Sequence, residues 1–253
     1  MAFIGFADDR RSVAFPSRLA VQFAAAAWAV WCLGGLPPIR IGAGTTSLGW
    51  LGDIIATIAI VWTLNLFNFM DGIDGIAASE AVFVALAGGA ISVAAGEPTG
   101  LVACALAAAC AGFLLWNWPP ARIFMGDVGS GYVGFTLAVL ALSATRAYGA
   151  APWVWIILGG IFFVDATITL LRRLARRERI HQAHRTHAYQ WLARRWASHR
   201  RVTLAAILVN VIWLLPWALL AWRMPERASW ALLAALAPVV VIVWTAGAGR
   251  PER

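Results

Sequence analysis

The sequence predicts an all-α, polytopic helical membrane protein of about eight transmembrane helices, forming a single domain over residues 1–253. Three observations carry this expectation. The chain is 61% hydrophobic and only 13% charged, against about 25% charged in soluble domains. Its mean hydropathy is +0.75. Its apolar residues also gather into runs of bilayer length. A water-soluble fold of this size cannot cover so much apolar surface, so lipid is the expected solvent.

A crossing helix needs about 20 mostly apolar residues. The stretches 18–37, 47–67, 75–95, 99–116, 130–147, 153–171, 203–222 and 229–245 meet that length. Glycine and proline in 34–38 and 148–152 mark turns between them. Met1 to Phe6 is a short apolar stub ending at Asp8-Asp9. It lacks the basic start and length of a signal peptide and reads as the end of a helix whose beginning is missing. Cys32, Cys104 and Cys110 lie inside apolar runs without metal-ligand spacing, and read as small core residues. Many tryptophans, such as Trp116, Trp118, Trp153 and Trp222, fall near span ends, as interfacial anchors do.

The basic residues are 20 arginines, and the net charge is +8. They sit mainly in one stretch between hydrophobic runs. That pattern fits an anionic membrane face or phosphate groups and argues against nucleic acid. Cytoplasmic loops collect arginine. Only Arg40, Arg146, Arg223 and Arg227 fall on one side of the expected bundle, and the other 16 fall on the opposite side. The arginine-rich side is therefore expected to be cytoplasmic. Asp8, Asp9, Asp71, Asp74, Asp127, His184 and His187 all fall on that same face. Their convergence is nearly independent of the arginine count and points to one site.

Four constellations carry chemistry. Asp8-Asp9 places two carboxylates at a helix end, where they suit Mg²⁺ or proton transfer, or form a solvated loop pair. Asn68, Asp71 and Asp74 recur every three residues, on one face if the segment is helical. Gly72 and Gly75 beside them allow close approach of a ligand. The bland alternative there is a cap and a turn. Asp127 stands between Gly126 and Gly129 just before a span, after the helix-breaking Pro119-Pro120. A helix start of this kind suits a diphosphate, or Asp127 binds its metal. His181, His184 and His187 lie in the arginine-rich loop with Arg185. Spaced by three, the histidines drift around a helix, so phosphate contact is favoured over zinc. Three acids fall within spans. Asp53 reads as a snorkelling side chain and Glu80 lies close to the second cluster. Asp165 is either functional or a structural partner of Arg172 or Arg173.

These motifs, in this order, resemble the polyprenyl-phosphate N-acetylhexosamine-1-phosphate transferase family, glycosyltransferase family 4, to which the phospho-MurNAc-pentapeptide translocase is related. The likeness rests on Gly5-Phe-Ala-Asp-Asp9, Asn65-Leu-Phe-Asn-Phe-Met-Asp-Gly-Ile-Asp-Gly75, Ile123-Phe-Met-Gly-Asp-Val-Gly-Ser130 and His184-Arg-Thr-His-Ala-Tyr-Gln190. The form of the last looks like the branch that initiates O-antigen, part of lipopolysaccharide. The resemblance implies transfer of an N-acetylhexosamine-1-phosphate from a UDP-sugar such as UDP-GlcNAc to undecaprenyl phosphate, with release of UMP. It implies Mg²⁺ and the bacterial cytoplasmic membrane, with the site facing the cytoplasm, and it admits a homodimer. By the same resemblance, Asp8 and Asp9 serve the lipid phosphate acceptor, and Asn68, Asp71 and Asp74 form the nucleotide and catalytic cluster. Asn117 and Phe124 lie near uracil, Asp127 binds Mg²⁺ with Asp71, and His184, Arg185 and His187 bind phosphate. Family members usually have about ten or eleven spans, so the resemblance implies that the N-terminal helices are absent here. Arg11 and Ser12 also stand where the family's aspartate pair has an acidic follower.

The motifs also admit two other classes. A transporter would place its acids nearer mid-membrane. A non-catalytic homologue would keep the motifs without the reaction. UMP release dependent on a UDP-sugar separates both from the transferase.

Overall fold

The computed structural model describes residues 1–10, 13–178 and 184–251. Among them run α1 (Ala2–Arg10), α2 (Phe15–Cys32), β1 (Ile39–Ile41), β2 (Gly44–Thr46), α3 (Gly49–Met70), α4 (Ile76–Ala94), α5 (Gly100–Asn117) and α6 (Gly126–Ala144). There follow α7 (Ala151–Leu158), α8 (Gly160–Ala175), α9 (Ala188–Trp196), α10 (His199–Leu208), α11 (Leu215–Arg223) and α12 (Ala228–Ala246). Helices dominate because the long runs are rich in Ala, Leu and other straight-chain residues, broken only where glycine or proline interrupts them.

The polytopic helical architecture stands, with a lower count of spans. Six helices are long and apolar enough to cross a membrane, and α7 with α8 makes up to seven. The eighth expected span, α2, is an 18-residue helix. Arg18 and Gln22 dilute its apolar character. The stretch expected as one span over 153–171 is broken instead, with α7 and α8 bent by 78° across Gly159. A two-stranded antiparallel hairpin, β1 with β2, also lies in what reads from sequence as a plain connector. The outer surface carries Trp28, Trp31, Trp50, Leu101, Leu115 and Trp230, all exposed. Large apolar side chains facing outward on successive helices are what a lipid solvent requires.

α3 has 22 residues, about 33 Å of helix, and runs the full depth of the bundle. It packs along α6, while α4 packs along α5 and α1 lies on the start of α6. The α3–α6 approach is close because residue 134 is glycine. A Cβ there would stand 2.7 Å from Thr63 O and 2.9 Å from Leu64 Cα. Small residues let membrane helices pack backbone to backbone, where dispersion and polar contacts replace the hydrophobic drive. Away from that seam, α10 continues through a π turn (Val209–Leu214) into α11. The π turn carries the buried Asn210, whose Nδ2 donates to Glu80 at 2.5 Å. An extra residue in the turn re-aims a side chain in this way.

Gly134→Leu is expected to force α3 from α6 and to cost about 1–3 kcal/mol. A fall in the detergent melting temperature checks this, with Gly112→Leu as the control, since nothing lies within 4 Å of a Cβ at Gly112.

Candidate active site

The carboxylates gather where α1, α3 and α6 meet. Gly126 opens α6 with φ +64°, a conformation glycine adopts without strain, and a Cβ there would stand 2.9 Å from Asp9 Oδ2. Asp127 follows in the first turn. Asn68, on the last turn of α3, donates from Nδ2 to Asp127 Oδ1 at 2.6 Å and to Ser130 Oγ at 3.2 Å. On the other side of Asp127, Arg18 Nη1 lies 3.4 Å from Oδ2 and also bonds Asp8.

Asp71 completes this group. It is the C-cap of α3 and accepts no hydrogen bond among the described residues. Burial, and then the charge of Asp127, push its carboxyl up to about 7. Two carboxylates with one left unbonded form a polar mouth suited to a divalent cation, since Mg²⁺ takes one or two carboxylates and completes its shell with water and phosphate oxygens. Among the described residues no three acids, histidines or cysteines converge as a complete metal cage, which the same preference does not require.

The remaining candidates differ from what their spacing implies. Asp8 and Asp9 do not act as a pair. Asp9 accepts the N–H groups of Asp127 at 3.0 Å and Val128 at 3.3 Å, so it caps α6. The helix start expected to receive a diphosphate thus has two of its amides occupied. Asp8 turns to Arg18 and to the Val13 N–H at 2.8 Å. Burial alone would raise its carboxyl, but these hydrogen bonds outweigh burial and hold it below the ordinary range.

Nor do Asn68, Asp71 and Asp74 share a helix face, because α3 ends at Met70 and the chain turns. Asp74 faces α10 instead. Its Oδ1 lies 3.3 Å from His199 Nδ1, its Oδ2 accepts the Ala121 N–H at 3.2 Å, and its carbonyl accepts from Thr203 Oγ1 at 3.0 Å. Asn117 is buried and clamps two loops, accepting the Gly75 N–H at 3.0 Å and donating to Ile123 O at 2.9 Å. Phe124 is 76% exposed and free to meet a ligand.

The histidine loop docks beside Asp71. His187 is buried at the N-cap of α9, within a capping box with Gln190. Its ring stacks on His184 with centroids 4.9 Å apart, and Tyr189 Oη donates to Phe69 O at 2.9 Å. Desolvation, then the charges of His187 and Arg173, push His184 down to about 4. It is therefore neutral at pH 7. Arg185 is exposed, and its carbonyl accepts from Arg194. His181 lies outside the described residues. Asp165 holds the loop from below, accepting the N–H groups of Ala188 at 2.9 Å and Tyr189 at 3.0 Å. Arg172, one partner expected for it, instead donates to Ala248 O and stacks over Trp244. Asp53 is structural too, accepting the Leu36 N–H at 2.8 Å.

Arg18, His199 and Ser130 are the residues that sequence reading passed over. Arg18 was readable as one more topological arginine, and its distance from Asp127 along the chain hides their contact. His199 lies outside every motif.

Fold and site define an integral membrane protein with a cluster of acidic side chains at one end of a helical bundle. A profile of glycosyl transferase family 4 matches residues 1–145, and the chain belongs to that family. A decaprenyl-phosphate N-acetylglucosaminephosphotransferase of Mycobacterium tuberculosis is 32% identical over 234 residues, covering 79% of this chain and 56% of that protein. A probable undecaprenyl-phosphate N-acetylglucosaminyl 1-phosphate transferase of Bacillus subtilis is 30% identical over 177 residues, covering 65% and 47%. A phospho-N-acetylmuramoyl-pentapeptide-transferase of Moorella thermoacetica is 38% identical over 126 residues, covering 49% and 38%. The chain thus spans about half the length of these curated relatives.

The native Asp71 carboxyl holds its proton more tightly than an unfolded aspartate, whose pKa is about 4. Its contribution to stability is full below about pH 4 and falls as pH rises to about 7, by about 1.4 kcal/mol per unit at the steepest. Thermal melts from pH 4 to 7.5 in EDTA are expected to show this fall in the native chain and a shallower one in Asp71→Asn.

Proposed function

We propose that the chain transfers an N-acetylhexosamine-1-phosphate from a UDP-sugar to a polyprenyl phosphate, releasing UMP at the cytoplasmic face of a bacterial membrane. The observation that carries this reading is the Asn68–Asp127 bond beside Asp71, which accepts no hydrogen bond among the described residues. Fixed and free carboxylates side by side at a membrane surface suit a metal-bound diphosphate better than transport through the bilayer. The relatives from M. tuberculosis and B. subtilis, both N-acetylglucosamine phosphotransferases by name, favour UDP-GlcNAc as the donor. Initiation of O-antigen is the pathway that the His-Arg-Thr-His-Ala-Tyr sequence favours.

Asp127 and Asp71 would hold Mg²⁺, which when bound neutralises charge on the diphosphate and on departing UMP. Burial and the neighbouring Asp8 raise the Asp127 carboxyl, while Asn68 and Arg18 partly offset this and orient it. Arg18 faces the mouth between Asp8 and Asp127, where it offers a guanidinium to the phosphate of the acceptor. Asp8 is bound to Arg18 and Asp9 to the α6 amides, so both carboxylates anchor the site's walls. A phosphate monoester has its second pKa near 6 and is already largely ionised at pH 7, so the acceptor oxygen attacks phosphorus directly. Asp74, held by Ala121 and His199, orders the loop behind the site. Phe124 offers an open ring for stacking on uracil.

UMP release from UDP-GlcNAc and undecaprenyl phosphate with Mg²⁺ tests the proposal. Release is expected to need the lipid, to stop with EDTA, and to fall at least about 100-fold in Asp127→Asn. Asn68→Ala, which removes a support of that ligand, is expected to lose about 10–100-fold. Well-folded chain that releases no UMP with this or related UDP-sugars overturns it.

A further inference from the structure

The end of the bundle opposite the carboxylates holds a cavity of about 350 Å³, within the range of small-ligand sites. Pro37 and Pro38 line it from the α2–β1 connection, Arg40 from β1, Arg146 and Tyr148 from the turn after α6, and Trp222 from the end of α11. Arginine is scarce at this end, with four of the 20, yet two of the four line one cavity. A third, Arg223, lies 4.6 Å from the ring centroid of Trp222.

The hairpin sets Arg40 firmly. Its N–H donates to Gly149 O at 2.9 Å and its carbonyl accepts from Trp153 Nε1 at 2.5 Å. The side-chain Nε is buried, with no hydrogen-bond partner among the described residues. Among the described residues neither Arg40 nor Arg146 has a carboxylate within ion-pair distance. Asp53, at the same end, is already committed to the Leu36 N–H. A desolvated guanidinium N–H without an acceptor is costly to keep. Guanidinium is also the side chain whose fork matches a phosphate or carboxylate.

We propose that this cavity is an oxyanion site in which Arg40 and Arg146 hold a phosphate group, carried by a phospholipid headgroup or free in solution. Trp222 and Trp153 stand at span ends, at headgroup level, which favours the lipid. The site is remote from the carboxylates and stands independently of the transferase reading.

The test titrates inorganic phosphate and, separately, dihexanoyl phosphatidylglycerol into the purified full chain by calorimetry, with EDTA present so that no metal holds phosphate at the other end. At least one probe is expected to bind. Affinity is expected to fall severalfold in Arg146→Gln, at least tenfold when Arg40→Gln is added, and not at all in Arg195→Gln. Binding of both probes identifies the phosphate itself as the ligand, and binding of the lipid alone identifies the headgroup. Arg146 is exposed, so Arg146→Gln decides the matter if Arg40→Gln does not fold. The proposal is overturned if neither probe binds the native chain, or if a folded Arg146→Gln chain binds as tightly as the native one.

Discussion

The Asn68–Asp127 hydrogen bond is the constraint on which the site depends. It joins the last turn of α3 to the first turn of α6 at 2.6 Å. It is possible only because Gly134 lets the two helices touch further along. A carboxylate near a helix N-terminus is favoured by the local dipole, and an amide donor fixes which way it points. Gly5 extends the same logic to α1, since a Cβ there would sit 2.7 Å from Val128 Cα. Three helices are thus drawn to one point by small residues, and polar side chains set their register.

The acids in this region do two kinds of work, and their hydrogen bonds tell them apart. Asp9 and Asp165 spend their oxygens on helix-start amides, so they build structure. Asp8 is spent on Arg18 and an amide. Asp71 accepts no hydrogen bond from the described residues, and its raised pKa follows from burial and from a charged neighbour. A cation would relieve both effects at once. The unbonded carboxylate is therefore the informative one, although the sequence presents all these aspartates alike.

Much of the fold was legible because its cause is local. Apolar runs of bilayer length give helices wherever they occur, and arginine placement sorted the motifs onto one end, where Asp71 and Asp127 indeed lie together. What was not legible depends on partners distant in sequence. The aspartate at position 9 and the amides at 127 and 128 are far apart in the chain, and no periodicity links them. Asp74 sits three residues from Asp71, yet the end of α3 at Met70 sends the two in different directions. The hairpin at 39–46 has only three residues per strand, too few for an alternating pattern to register. In α2, Arg18 interrupts an apolar run for a reason that appears only once Asp8 and Asp127 are beside it.

The bend between α7 and α8 shows how the broken span serves the same end of the molecule. A straight helix over 151–175 would continue along one axis. The 78° turn at Gly159 redirects α8 across the bundle, so that Asp165 comes to lie beneath the start of α9. Both of its oxygens then receive α9 amides, and Tyr189 on that helix reaches the carbonyl of Phe69. The arginine-rich loop is thereby tied to the last turn of α3, two residues before Asp71. An intramembrane acid is expensive unless it is matched, and here the match is two backbone donors that no sequence motif announces. The bend, the buried acid and the docked loop form one mechanical unit that fixes the histidine loop to the end of α3.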